Sequence, residues 1–212
     1  MASVAFTEFL PDVLLEATGV PDPVAIAAVR NACFDFCKAS LLWNDVQDPE
    51  AYTAGVAEYQ ITPPSGAQIV AVRHINLDEN NVVYPVSLDD LVAAKPSWAS
   101  AQGRIVTYVQ PSPDTVRFVS VPDVGGTFVA NAAYAPTRSA TAVDSRIYNQ
   151  YLEVIKYGAL WKLKSMAGQP WADPTGAATY ESRFLMGIND ATIERQRSNS
   201  AAVLRVTTRG LA

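Results

Sequence analysis

His74 is the sole histidine in this sequence, and so the side chain most able to exchange a proton near neutral pH. As a general base it would need a nucleophile and an orienting acid. No Gly-x-Ser-x-Gly elbow or comparable nucleophile context accompanies it. Its place inside a Val- and Ile-rich run reads instead as a strand histidine at a surface or interface. Asp89 and Asp90 are a second candidate, since paired carboxylates cleave glycosides. Neighbouring positions on a helix point about 100° apart, so the pair reads as first-turn acids favoured by the helix dipole. Cys33 and Cys37 are four residues apart on one helical face with no His nearby. They read as buried reduced thiols, with a disulfide or a metal pair as the alternative. Gly125-Gly126 lacks the Lys and the Ser/Thr of a phosphate-binding loop and reads as a turn. A hydrolase built on this chain would have to use His74 with Asp89 or Asp90. The pattern instead argues against an enzyme, a cofactor site or a metal site.

The elements that would carry these residues follow from periodicity. Asp22-Pro23 supplies a cap and a first-turn proline, and Ile26, Val29, Cys33, Phe36 and Ser40 follow at threes and fours, predicting one helix from about Pro23 to Trp43. A shorter helical segment, Pro11 to Ala17, precedes it. Residues 56–134 hold runs rich in Val, Ile, Thr, Tyr and Phe, separated by turns such as Pro63-Pro64-Ser65-Gly66 and Pro111-Ser112-Pro113-Asp114. About six antiparallel strands are expected there, with one short helix, Ser87 to Ala94, between strands. In the run from Gln68 to Leu77, Ile69, Ala71, Ile75 and Leu77 share a parity that Arg73 interrupts. Two helices close the pattern. One starts at Val143-Asp144-Ser145 and carries Tyr148, Tyr151, Leu152, Ile155, Ala159, Leu163 and Met166. The other, capped by Asp173-Pro174, carries Ala177, Tyr180, Phe184, Ile188 and Ala191.

The expected class is therefore α+β: a helical bundle formed by the N- and C-terminal helices, an inserted small antiparallel β domain, and an extended C-terminal tail. The expected boundaries are 1–55 for the N-terminal helices, 56–136 for the β domain, 137–197 for the C-terminal helices and 198–212 for the tail. Trp161 lies off the main apolar stripe of its helix, beside Lys162 and Lys164, and is a candidate subunit contact.

Composition narrows the function classes. The 212 residues carry a net charge of −5, and 17% are Asp, Glu, Lys or Arg, against roughly 25% in an ordinary soluble domain. That deficit suggests surface meant to be covered by other subunits. A net-acidic chain is a poor phosphate binder. The apolar run from Val24 to Val29 is far short of the ~20 residues of a membrane span, and no secretory signal is expected. The charge is also polarised along the chain: −7 over residues 1–60, −1 over 61–140 and +3 over 141–212. From Arg195 onward the sequence has only basic charges: Arg195, Arg197, Arg205 and Arg209.

Four segments in order then carry a resemblance. The first runs from Ala28-Val29-Arg30-Asn31-Ala32-Cys33-Phe34-Asp35-Phe36-Cys37 to Trp43. The second is Tyr59-Gln60-Ile61-Thr62-Pro63-Pro64-Ser65-Gly66-Ala67, followed by a strand with Val70 and Val72. The third is Trp98 to Gly103, then Tyr108, Pro113-Asp114 and a strand ending in Val121-Pro122. The fourth is Tyr157-Gly158-Ala159-Leu160, then Gln169-Pro170-Trp171-Ala172-Asp173-Pro174, leading to Ala178, Tyr180 and Phe184. Together they resemble the head-to-tail adaptor (connector) proteins of tailed bacteriophages over roughly residues 20 to 195. The resemblance implies a virion protein of the neck, made in the host cytoplasm and assembled as a homo-oligomeric ring of roughly twelve copies. It implies the portal protein and a downstream tail or stopper protein as partners, with DNA passing the lumen without sequence-specific binding. It also makes Leu204, Arg205, Val206, Arg209 and Leu211 candidate portal contacts. The alternative is another neck component, such as a head- or tail-completion protein.

Overall fold

The computed structural model describes residues 2–78 and 81–197. In chain order the first elements are β1 (Ser3–Ala5), a 3-10 turn (Phe6–Phe9), α1 (Leu10–Leu14) and α2 (Asp22–Ser40). Strands β2 (Asn44–Val46), β3 (Glu50–Tyr52), β4 (Glu58–Gln60), β5 (Ala67–Leu77) and β6 (Asn81–Pro85) follow, then α3 (Leu88–Ala94). After these come β7 (Thr107–Ser112), β8 (Thr115–Phe118), β9 (Gly126–Pro136), β10 (Ala142–Asp144), α4 (Ser145–Lys164) and α5 (Pro174–Gln196). They gather into two compact units, one from residues up to Leu42 and from Asp144 onward, the other from Trp43 to Val143.

In the helical unit, α2 buries Ala25, Ala28, Val29, Ala32, Cys33, Phe36 and Cys37, the three-and-four spacing of one helical face. Its end falls at Ser40 and not Trp43, because Leu41 turns to φ 52° and its N–H closes on the Cys37 carbonyl. The Ser40 hydroxyl donates to the Phe36 carbonyl at 2.7 Å. Helix α4 is capped by Asp144, whose carboxylate accepts from the Arg146 N–H at 2.8 Å and from the Arg146 guanidinium at 2.9 Å. Helix α5 is capped by Asp173, which accepts from the Gly176 N–H at 2.9 Å. The three long helices meet at Gly158. A Cβ there would lie 2.7 Å from the Phe184 ring on α5 and 2.9 Å from Ala32 on α2.

The sheet unit is built on β5 and β9, paired antiparallel over most of their eleven residues each. The strand order is β2-β9-β5-β6-β7-β8-β4, with β3 also on β9. All pairs are antiparallel except β6–β7, which is parallel and needs a crossover; α3 lies within it. Strand β5 carries two register shifts, between Ile69 and Ala71 and between Val72 and His74. The buried set is consequently Ala67, Ile69, Val72, Ile75 and Leu77, which no single parity contains. At the second shift, Val72 turns to β7: its N–H donates to the Gln110 side chain at 3.0 Å, and its carbonyl accepts from the Tyr108 hydroxyl at 2.8 Å. The sheet curls, so that rings from distant strands meet inside it. Tyr59 on β4 is 5.4 Å from Phe128 on β9, and Tyr52 on β3 is 5.8 Å from Phe118 on β8.

The expected helical bundle with a small antiparallel insertion is therefore corrected. Among the described residues the fold is mixed: five α-helices and a large curled sheet of eight strands, one pair of them parallel, with much of the core inside the sheet. Two causes explain the error. Strands β2 and β3 are three residues each and carry no period. The crossover direction of β6–β7 leaves no mark on alternation.

Candidate assembly surfaces

The residues singled out for chemistry have ordinary structural roles. His74 is half-buried on β5 with its ring 6.4 Å from Tyr84 on β6, and burial followed by the Arg73 charge lowers its pKa. Asp89 and Asp90 stand exposed in the first turn of α3, where Ser87 caps the helix. Cys33 and Cys37 are both fully buried and unbridged. Burial, with a smaller effect of Cys37 on Cys33 and of Asp144 on Cys37, pushes both thiols up, which keeps them protonated and unreactive. Among the described residues, no group of three His, Cys, Asp or Glu is placed to hold a metal.

The sheet unit holds an open cleft of about 420 Å³, lined by Tyr52, Leu77, Asp78, Arg104, Ile105 and Asp123 among others. Its floor is an internal lock. Asp78, at φ 46°, accepts from the Thr127 N–H at 2.9 Å and from the Tyr52 hydroxyl at 2.8 Å. Those bonds hold its carboxyl below the ordinary range. Burial, then the Asp78 contact, pushes Tyr52 up to about 12. Gly126 leaves room for this lock, since a Cβ there would sit 2.3 Å from Asp78 Oδ1. The lock fastens the end of β5 to the start of β9.

The charge pattern takes a new form in three dimensions. Glu16 pairs with Lys156 on α4 at 2.7 Å and accepts from the Tyr180 hydroxyl on α5. Asp35 on α2 pairs with Lys162 on α4, and Lys164 with Asp173 at 3.7 Å. The acidic N-terminal segment is thus partly neutralised by the basic C-terminal helices inside one unit. Counted by unit, the sequence of the helical one has eleven acids and eleven bases, whereas the sheet unit has ten acids and five bases. The whole net charge of −5 lies on the sheet unit.

Trp161 is half-buried on α4, its ring 6.1 Å from Phe184 on α5 and 5.0 Å from the Lys162 ammonium. Part of the indole is therefore packed within the helical unit, and the rest is open. Leu204, Arg205, Val206, Arg209 and Leu211 lie outside the described residues.

Two surfaces that periodicity reading missed stand out. On α5 the buried face is Ala177, Phe184, Gly187, Ile188 and Ala191. The exposed positions Ala178, Ser182, Leu185, Met186, Asn189 and Ile193 share the opposite side at helical spacing, and none is charged. Such a side ordinarily carries charged and polar groups. The signal was present in the sequence, in the residues between the apolar positions. The second surface is the β6–α3–β7 stretch. Val82, Tyr84, Leu88, Val92 and Val106 are all exposed there, and α3 buries none of its residues.

The exposed side of α5 thus carries no charge, whereas the β6–α3–β7 stretch sets its exposed apolar residues beside the exposed acids Asp89 and Asp90. No curated protein matches the chain. The family model described as "SU10 adaptor protein" matches residues 6–207. The chain belongs to the SU10 adaptor protein family, a family of phage head-to-tail adaptors.

Proposed function

We propose that this protein forms a ring beneath the phage portal, joins the capsid to the tail, and lets DNA pass during ejection. The family match over residues 6–207 carries the reading. The uncharged exposed side of α5 and the exposed apolar residues of the β6–α3–β7 stretch support it, because a closed ring of identical subunits uses two different faces of each copy. Roughly twelve copies, a downstream tail or stopper protein and a neck position in the virion complete the proposal. The open part of Trp161 is a subunit contact in this reading, and the residues Leu204, Arg205, Val206, Arg209 and Leu211 contact the portal. The net charge of −5 on the sheet unit favours passage of DNA over adhesion to it.

The test is deletion of residues 198–212, followed by sedimentation with purified portal. The truncated protein should keep its melting temperature and lose portal docking. Docking equal to that of the full chain would overturn the tail assignment.

A further inference from the structure

We propose that ionic strength regulates assembly of this protein, because the sheet unit brings uncompensated negative charge into every contact between copies. The proposal rests on the ring reading and deepens it by naming what regulates closure of the ring. Two observations and a symmetry argument carry it.

The first observation is where the charge stands. In the helical unit Glu16, Asp35 and Asp173 each meet a lysine, and the sequence of that unit sums to zero. The sheet unit sums to −5. Among its described residues, Glu58 pairs with Arg117 at 3.5 Å, while Asp48, Asp89, Asp90 and Asp123 stand exposed and form no ion pair. The second observation is that these acids are scattered. Asp48 follows β2, Asp89 and Asp90 lie in α3, and Asp123 precedes β9. Their charge therefore belongs to the unit as a whole and to no single spot on it.

Symmetry turns this charge into a property of assembly. Every contact in a ring of identical copies joins two faces of the same chain. Whichever faces meet, a sheet unit meets either another sheet unit, at −5, or a helical unit, at zero. No arrangement gives it a neighbour of net positive charge. The resulting repulsion is long-ranged at low salt and short-ranged at high salt: the Debye length falls from about 14 Å at 50 mM to about 4 Å at 500 mM. Burial of apolar surface carries no charge and is not screened. Assembly therefore strengthens as salt rises, the reverse of an interface held by ion pairs.

The test follows assembly by sedimentation velocity and mass photometry, alone and with purified portal, from about 50 to about 500 mM NaCl. Wild type should gain at least about tenfold in apparent association constant across that range. A variant with Asp48→Asn, Asp89→Asn and Asp123→Asn keeps seven of the ten acids of the sheet unit, which leaves −2. All three positions are exposed, and thermal melting checks that the variant folds as wild type. It should assemble at the low end of the range as wild type does at the high end. Each single substitution should deliver roughly a third of the shift, since the three sites act independently. Assembly that weakens with salt, or a triple variant with wild-type salt dependence, would overturn the proposal and leave the ring reading standing. A shift carried whole by one substitution would overturn it too, by marking a local contact. Wild type that forms no oligomer at any salt, even on the portal, would overturn both.

Discussion

Replacing Gly158 by alanine tests the packing of the helical unit at its tightest point. In an exposed helix the change would stabilise by about 1 kcal/mol, through lost backbone freedom in the unfolded chain. Here the new methyl would lie 2.7 and 2.8 Å from two carbons of the Phe184 ring and 2.9 Å from the Ala32 methyl. Both neighbours are almost wholly buried, and the Phe184 ring has Trp161 6.1 Å away, so neither yields easily. Overpacking of this kind costs roughly 1–3 kcal/mol. With contacts on two sides the upper part of that range applies, which leaves a net loss of about 1–2 kcal/mol. For a chain of this size that lowers the melting temperature by roughly 2–8 °C, readable by calorimetry. Adding Phe184→Leu should relieve the clash, so that the double variant loses less than the sum of the two single ones. A Gly158→Ala protein that melts at or above wild type would refute the three-helix contact.

Two further outcomes follow from buried and paired groups. Cys33 and Cys37 should be silent to Ellman's reagent in the native protein and titrate as two thiols after denaturation, since both are fully buried and free. Glu16 has a depressed pKa, from its bonds to Lys156 and then Tyr180, so its contribution is complete above the unfolded value of 4.5 and fades as pH falls through the folded one. Glu16→Gln should therefore be less stable than wild type at pH 7, with the gap closing below about pH 4.5 in denaturant titrations. A third of the Glu16 side chain is exposed, and screening holds the gap below about 1 kcal/mol. A gap that widens toward acid would reverse the sign of the argument.

The legible parts of this molecule are those whose local chemistry agrees with their environment. Helices α2, α4 and α5 announce themselves through spacing, and Asp144, Asp173 and Ser87 cap helices where their types suggest. Strand β5 is found as a strand but misread in its faces, because two register shifts break its alternation, and beside the second of them the Val72 backbone is held by the Tyr108 and Gln110 side chains of another strand. Strands β2 and β3 exist only because β9 offers them an edge. The four matching segments point to the family whose model matches residues 6–207, and the uncharged side of α5 was there to be read between the apolar positions Ala177, Phe184, Ile188 and Ala191.

The helical unit is assembled from both ends of the chain, and this sets an order for its birth on the ribosome. The sheet unit, residues 43–143, is one continuous segment and can close as soon as it has emerged. Helix α2 emerges first but must wait for α4, which begins only at Ser145. At roughly 5–20 residues per second of synthesis, its Val29, Phe36 and Cys37 side stays uncovered for about 5–20 s. Chains stopped before α4 should therefore be caught by chaperones or aggregate, while the sheet unit within them is already folded.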